Sequence, residues 1–258
     1  MDTNRTPGGT PRLSMRVAVA GVAISIAVGV AIWLAGLPAS PRLFGTPLAD
    51  LTVPAALLVA LAGISVTGAA SSRSRWRVVD IVIASVLAVV GGLFFWGAAA
   101  VWNLVTLVPP SVAVLAGAWV LPAVLGGLVI RKPGAAVFVE LVAAVLEALL
   151  GNQWGFSTVY YGLIEGLGAE FVLALLFYRS FGPVAAVLAG AGAGLAEGLL
   201  DVTVAYPDVT AGVKTGYLAI AVVASAIVAG GGAWALTRGL AATGVLAPLA
   251  SGRTAERV

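Results

Sequence analysis

Eight apolar runs, none with a basic residue, divide this chain, at about 17 to 36, 53 to 70, 79 to 101, 111 to 130, 135 to 150, 158 to 178, 183 to 200 and 215 to 237. Segments of that length and character enter hydrocarbon as helices, because a helix satisfies its own backbone N–H and C=O groups where no water can. The composition agrees: 60% of the 258 residues are hydrophobic and 10% are charged, where ordinary soluble domains carry about a quarter charged residues. The chain therefore reads as an all-α, polytopic integral membrane protein with eight transmembrane helices. The run at 135 to 150 is short for a hydrocarbon core of about 30 Å and is expected to tilt little or to lie deep in the bundle.

Basic residues set the orientation. With the N-terminus inside, the cytoplasmic segments hold Arg5, Arg12, Arg16, Arg73, Arg75, Arg77, Arg131, Lys132, Arg179, Arg238, Arg253 and Arg257, leaving only Arg42 and Lys214 outside among the fourteen basic residues. Such asymmetry is the positive-inside pattern and places both termini in the cytoplasm of a cell-membrane protein. The polar opening MDTNRTPGGTPRLSMR precedes a run, Val17 to Leu34, as long as a span and without a clear cleavage site, so it is read as a retained anchor. The net charge of +3 is distributed by topology and gives no footprint for nucleic acid.

Enzymatic chemistry loses most of its reagents here. With no Cys and no His, the chain has no thiol nucleophile, no thiolate metal site, no disulfide, and neither the commonest metal ligand nor the usual neutral-pH base. No GxxxxGK[ST] motif occurs, so the chain is not itself an ATP-driven motor. No cofactor or metal is expected.

What the sequence does contain is a set of carboxylates inside apolar helices, where they are costly and mark function. The stretch from Arg131 to Glu170, RKPGAAVFVELVAAVLEALLGNQWGFSTVYYGLIEGLGAE, gathers a basic turn, Glu140, Glu147, Glu165 and Glu170, and an uncharged aromatic loop of Gly151 to Ser157 that includes Asn152 and Trp154. Chain direction sorts these by depth. Glu147 falls near the outer end of the fifth span with Glu140 about ten ångströms deeper. Tyr160, Tyr161 and Glu165 fall in the outer half of the sixth, with Glu170 nearer its middle. Glu197 and Asp201 close the seventh, Trp96, Trp102 and Asn103 the third, and Trp119 lies in the outer half of the fourth. Acids and aromatics thus converge on one outward-facing cluster suited to a flat, cationic or donor-rich heterocycle. Each has a plainer alternative: Glu140 as a structural hydrogen-bonding group, Asp201 as a solvated cap, Trp102 and Trp154 as interfacial belt residues. Glu165 and Glu170 differ by about 140° around a helix, so one cavity does not readily take both.

RKPGAAVFVELVAAVLEALLGN followed by GLIEGLGAE resembles the signature region of the YkoE family, the substrate-binding S components of energy-coupling factor (ECF) transporters for thiamin or its hydroxymethylpyrimidine precursor. The resemblance runs from about Trp76 to Val245 and weakens after Asp201. It implies a six-helix S-component-like substrate-binding domain at 73–245, preceded by a cytoplasmic tail at 1–16 and an accessory two-helix hairpin at 17–72, and followed by a cytoplasmic tail at 246–258. It also implies partners, namely a transmembrane coupling protein and ATPase subunits, with Ala84 and Ala88 as a small-residue docking pair. Within the site it favours Glu170, whereas depth favours Glu165. The expected substrate contacts are therefore Glu147, Asn152, Trp154, Tyr161, Glu165, Glu170, Trp119, Trp96, Glu197 and Asp201. The competing reading is a secondary transporter that uses Glu140, Glu147 and Glu170 as a proton or cation relay. Gly162 and Gly166, and Gly190, Gly194 and Gly198, recur every four residues and are expected to let helices approach closely.

Overall fold

The computed structural model describes residues 42–43, 46–47, 52–70, 75–102, 104 and 108–255, together with the helical positions Ile24, Val28 and Ala31. Apart from a two-residue antiparallel pair (β1, Arg42–Leu43; β2, Thr46–Pro47), all regular structure in these residues is helical. The helices are α1 (Thr52–Ala70), α2 (Val78–Trp102), α3 (Ser111–Ile130), α4 (Ala135–Leu150), α5 (Ser157–Leu175), α6 (Pro183–Ala205), α7 (Ala211–Ala242) and the short α8 (Ala250–Ala255). Five of them, α2, α3, α5, α6 and α7, are long and apolar enough to cross a membrane. At sixteen residues, α4 rises only about 24 Å. The chain is a multi-pass membrane protein. The predicted run at 17 to 36 and the tail at 1–16 lie outside the described residues, those three helical positions excepted.

Neighbouring helices pack in a closed circuit. Helix α4 lies against α2, α3 and α5; α5 lies against α6, α6 against α7, and α7 returns to α3. Between lipid-facing helices there is no hydrophobic driving force, so close approach and shape carry the association. The glycines supply that approach. A Cβ on Gly162 would stand 2.5 Å from the Ala144 methyl, and one on Gly194 would stand 2.7 Å from the Ala221 carbonyl. The repeat expected from the sequence therefore seats α5 on α4 and α6 on α7.

Two predicted features take other forms. The sixth run stops as helix at Leu175, because Phe177 and Tyr178 adopt left-handed backbone angles and turn the Tyr178 side chain back into the bundle. The predicted tail at 246–258 packs rather than trails over its described part. Leu246 and Leu249 are buried with Val129, Ile130, Ala135 and Val139, and Ser251 donates to the Val129 carbonyl at 2.8 Å.

Candidate functional site

The loop joining α4 to α5 is built by its own side chains. Gly151 and Gly155 take positive φ angles of 90° and 61°, which cost a side-chain-bearing residue dearly. Asn152 Oδ1 accepts from the backbone N–H groups of Trp154 (3.0 Å) and Gly155 (2.6 Å), and its amide donates to Thr158 at 2.9 Å. The turn thereby presents the Trp154 ring to Trp102, at the end of α2, and Trp119 on α3. The three indoles form a triangle with centroid separations of 5.5, 5.6 and 6.0 Å, all edge-to-face. That geometry suits the ring quadrupoles and leaves faces available for another flat ring.

Below the triangle is a cavity of about 270 Å³. Its walls carry Glu147 from α4, Tyr160, Tyr161 and Glu165 from α5, and Glu197 and Asp201 from α6, with Tyr217 of α7 opposite. No Lys or Arg among the described residues lines it. Glu147 is fully buried and neither of its oxygens makes a hydrogen bond of full geometry among the described residues, although the Asn152 side chain lies near enough to act on it; one oxygen of Glu197 is likewise unpartnered among them. Asp201 differs, since Tyr161 donates to one oxygen at 3.1 Å and Tyr217 to the other at 2.5 Å. Glu165 lies within electrostatic range of Glu147, Asp201, Glu197 and the deeper Glu140. Like charges crowded in a low-dielectric wall favour a positively charged or hydrogen-bond-donating occupant. No group of three or more acids placed to hold a metal ion exists among the described residues.

The structure thus brings together Glu147, Trp154, Tyr161, Glu165, Trp119, Glu197 and Asp201, and leaves out three expected contacts. Glu170 belongs elsewhere. Its carboxylate accepts from the N–H groups of Gly134 (2.7 Å) and Ala136 (2.9 Å) and from Tyr178 Oη (2.6 Å), so it caps the start of α4 from across the bundle. Burial and the neighbouring carboxylate raise the Tyr178 hydroxyl above the ordinary phenol range, which keeps it a donor. Trp96 is 46% exposed on the outside of α2 and does not reach the cavity. Asn152 shapes the loop instead of lining the cavity. Glu140, one of the deep acids, is fully enclosed with no partner for either oxygen among the described residues.

Ala84 and Ala88, a docking pair by the resemblance, pack inside this chain. Both are wholly buried in the cluster formed with α3, α4 and the 246–249 segment, a position that leaves no surface for a partner. The sequence reading did not single out Tyr206 and Tyr217, whose rings lie 5.5 Å apart in the α7-side wall. Their signal was depth: Tyr217 opens the last span at the height at which Asp201 closes the one before.

At the other end of the bundle the ionic chemistry is structural. Asp80, fully buried, receives Lys132 Nζ at 2.5 Å and Arg77 Nη2 at 3.0 Å, and Trp76 donates to the Pro133 carbonyl at 2.8 Å. The basic turn Arg131–Gly134 is thereby tied to the start of α2. A buried carboxylate needs such partners, and their loss would be strongly destabilising.

Comparison with known proteins identifies this architecture. Residues 79–196 match a family described as the permease component of an ABC-type cobalt transport system. The chain is 32% identical over 185 residues to YkoE of Bacillus subtilis (strain 168), a protein named for a role as an HMP/thiamine permease, covering 70% of this chain and 93% of that one. A solved structure of an ECF-transporter S component superposes with a TM-score of 0.68 at 32% identity, covering 71% of this chain and 94% of the other. The chain belongs to the YkoE family of ECF S components. YkoE-family proteins of this kind are transport proteins and not enzymes.

Proposed function

We propose that this YkoE-family protein is the substrate-binding subunit of an ECF-type importer and captures thiamin or its hydroxymethylpyrimidine precursor from outside the cell. One observation carries the reading: a single cavity joins a triangle of indoles to buried carboxylates whose oxygens are unpartnered among the described residues. A flat pyrimidine gains stacking area against the indoles, and an amino group or a thiazolium positive charge is met by Glu147 and Glu197. The name of the Bacillus relative supports this substrate class. The asymmetry of basic residues supports an outward-facing α4–α5 loop and cytoplasmic termini. Transport then depends on a transmembrane coupling protein and ATPase subunits.

Titration of the purified protein with thiamin and with hydroxymethylpyrimidine tests the proposal, the expected result being saturable binding of at least one. Binding of neither would overturn the substrate assignment. Uptake by this chain alone, abolished by an uncoupler, would refute dependence on the ATPases and favour an acid-based relay instead. Reporter fusions that put the Asn152–Ser157 loop in the cytoplasm would refute capture from outside.

A further inference from the structure

Helix α1 precedes the stretch matched by the family model, which begins at residue 79, and relatives covered over 93% and 94% of their own lengths account for only 70% and 71% of this chain. An accessory element is expected to stand apart from the bundle, yet α1 lies along α5 and reaches α6. Leu61, near its middle, packs against Ile164 of α5 and Ala196 and Leu200 of α6, and Tyr161 packs against the same cluster. Ile164 and Ala196 each directly precede a cavity acid, Glu165 and Glu197. The cluster therefore backs the wall that carries three of the cavity's polar groups.

Tyr161 connects this backing to the cavity. Its hydroxyl donates to Asp201, whose other oxygen accepts from Tyr217, against which the Tyr206 ring packs at a tilt. Leu61 and Tyr161 thus share one packing cluster, Ile164, Ala196 and Leu200, and from Tyr161 the hydrogen bonds run through Asp201 to Tyr217, so that α1, α5, α6 and α7 meet in one connected set of contacts. Lipid tails conform to whatever shape they meet and cannot hold a tyrosine in one rotamer, whereas a branched side chain fixed on a helix can.

We infer that α1 is a working part of the ligand site and that Leu61 is a positioning residue, holding Tyr161 in the orientation that sets the cavity wall. The inference rests on the ligand-binding reading above and adds to it the N-terminal helix.

The test uses the full chain with thiamin and hydroxymethylpyrimidine as probes. Leu61→Ala should weaken whichever probes bind by about three- to tenfold, and Tyr161→Phe should do likewise. The double variant should lose little more than either single one, since Leu61→Ala is expected to act by loosening the ring whose hydroxyl bond to Asp201 Tyr161→Phe removes outright. Leu61→Met, similar in volume, should recover most of the affinity. Val66→Ala, on an exposed part of α1, should bind as the unaltered protein does. Wild-type affinity in Leu61→Ala, or losses that simply multiply, would overturn the inference. A second measurement needs no ligand: Leu61→Ala should change the near-ultraviolet circular dichroism of the tyrosines in the same sense as Tyr161→Phe. If neither probe binds the unaltered protein while this spectral change is present, the substrate assignment fails and the positioning of Tyr161 stands. An unchanged spectrum overturns the positioning itself.

Discussion

Replacing Glu147 by Gln preserves size and one acceptor oxygen while removing the charge. Because both oxygens are enclosed and unpartnered among the described residues, a ligand group that meets them is desolvated, and a hydrogen bond to a charged group there is worth about 1.5 to 3 kcal/mol. A cationic ligand should lose most of that, roughly ten- to 150-fold in affinity. A neutral aminopyrimidine still finds an acceptor in the amide oxygen and should lose about 1 kcal/mol, roughly fivefold. The assay is calorimetric or tryptophan-fluorescence titration of both ligands against Glu147→Gln protein that elutes and melts like the parent. The discriminating quantity is the ratio of the two losses. Equal losses would mean that the carboxylate does not act on the ligand's positive charge, and unchanged affinities in folded protein would remove Glu147 from the site and shift attention to Glu197, whose second oxygen is likewise unpartnered among the described residues.

Other parts of the structure give sharper contrasts. Trp119→Ala opens the indole triangle and should weaken cationic and neutral ligands by a similar factor, about 1 to 3 kcal/mol each, as for a base stacked on an aromatic ring; strong discrimination between them in titration would contradict a stacking role. Glu170→Ala strands the Gly134 and Ala136 N–H groups and the Tyr178 hydroxyl, so it should lower stability by about 3 to 5 kcal/mol, seen as a fall in thermal midpoint, while the fraction that remains folded binds normally. A loss of affinity without a loss of stability would return Glu170 to the site. Gly162→Leu places a side chain where even a Cβ meets Ala144 at 2.5 Å; separating α5 from α4 should cost about 1 to 3 kcal/mol and weaken binding too, because Glu147 and Glu165 sit on those two helices. Unaltered melting and binding would show that the helices are not in contact there.

The membrane character and most helix boundaries were legible in the residues because apolar length is a local property: runs expected at 111 to 130 and 135 to 150 are helices with those bounds. Depth was legible as well. Chain direction alternates and the rise per residue is fixed, so Glu147, Tyr161, Glu165, Glu197, Asp201 and Trp119 could be set at one height before any contact was known. Rotation about the helix axis and the path of a turn are not local, and there only the tertiary structure decided. Glu165 faces the cavity and Glu170 does not because the chain doubles back at Phe177 and Tyr178 and because the start of α4 offers unsatisfied N–H groups to a carboxylate beside them. The resemblance implied docking for Ala84 and Ala88, but α3, α4 and the segment at 246–249 close over that face of α2. The same physics separates Asp201, whose oxygens are held by two tyrosines from different helices, from Glu147, which has no such partners among the described residues. A sequence records which groups reach a given depth; which of them are already hydrogen-bonded depends on which helices come to lie side by side.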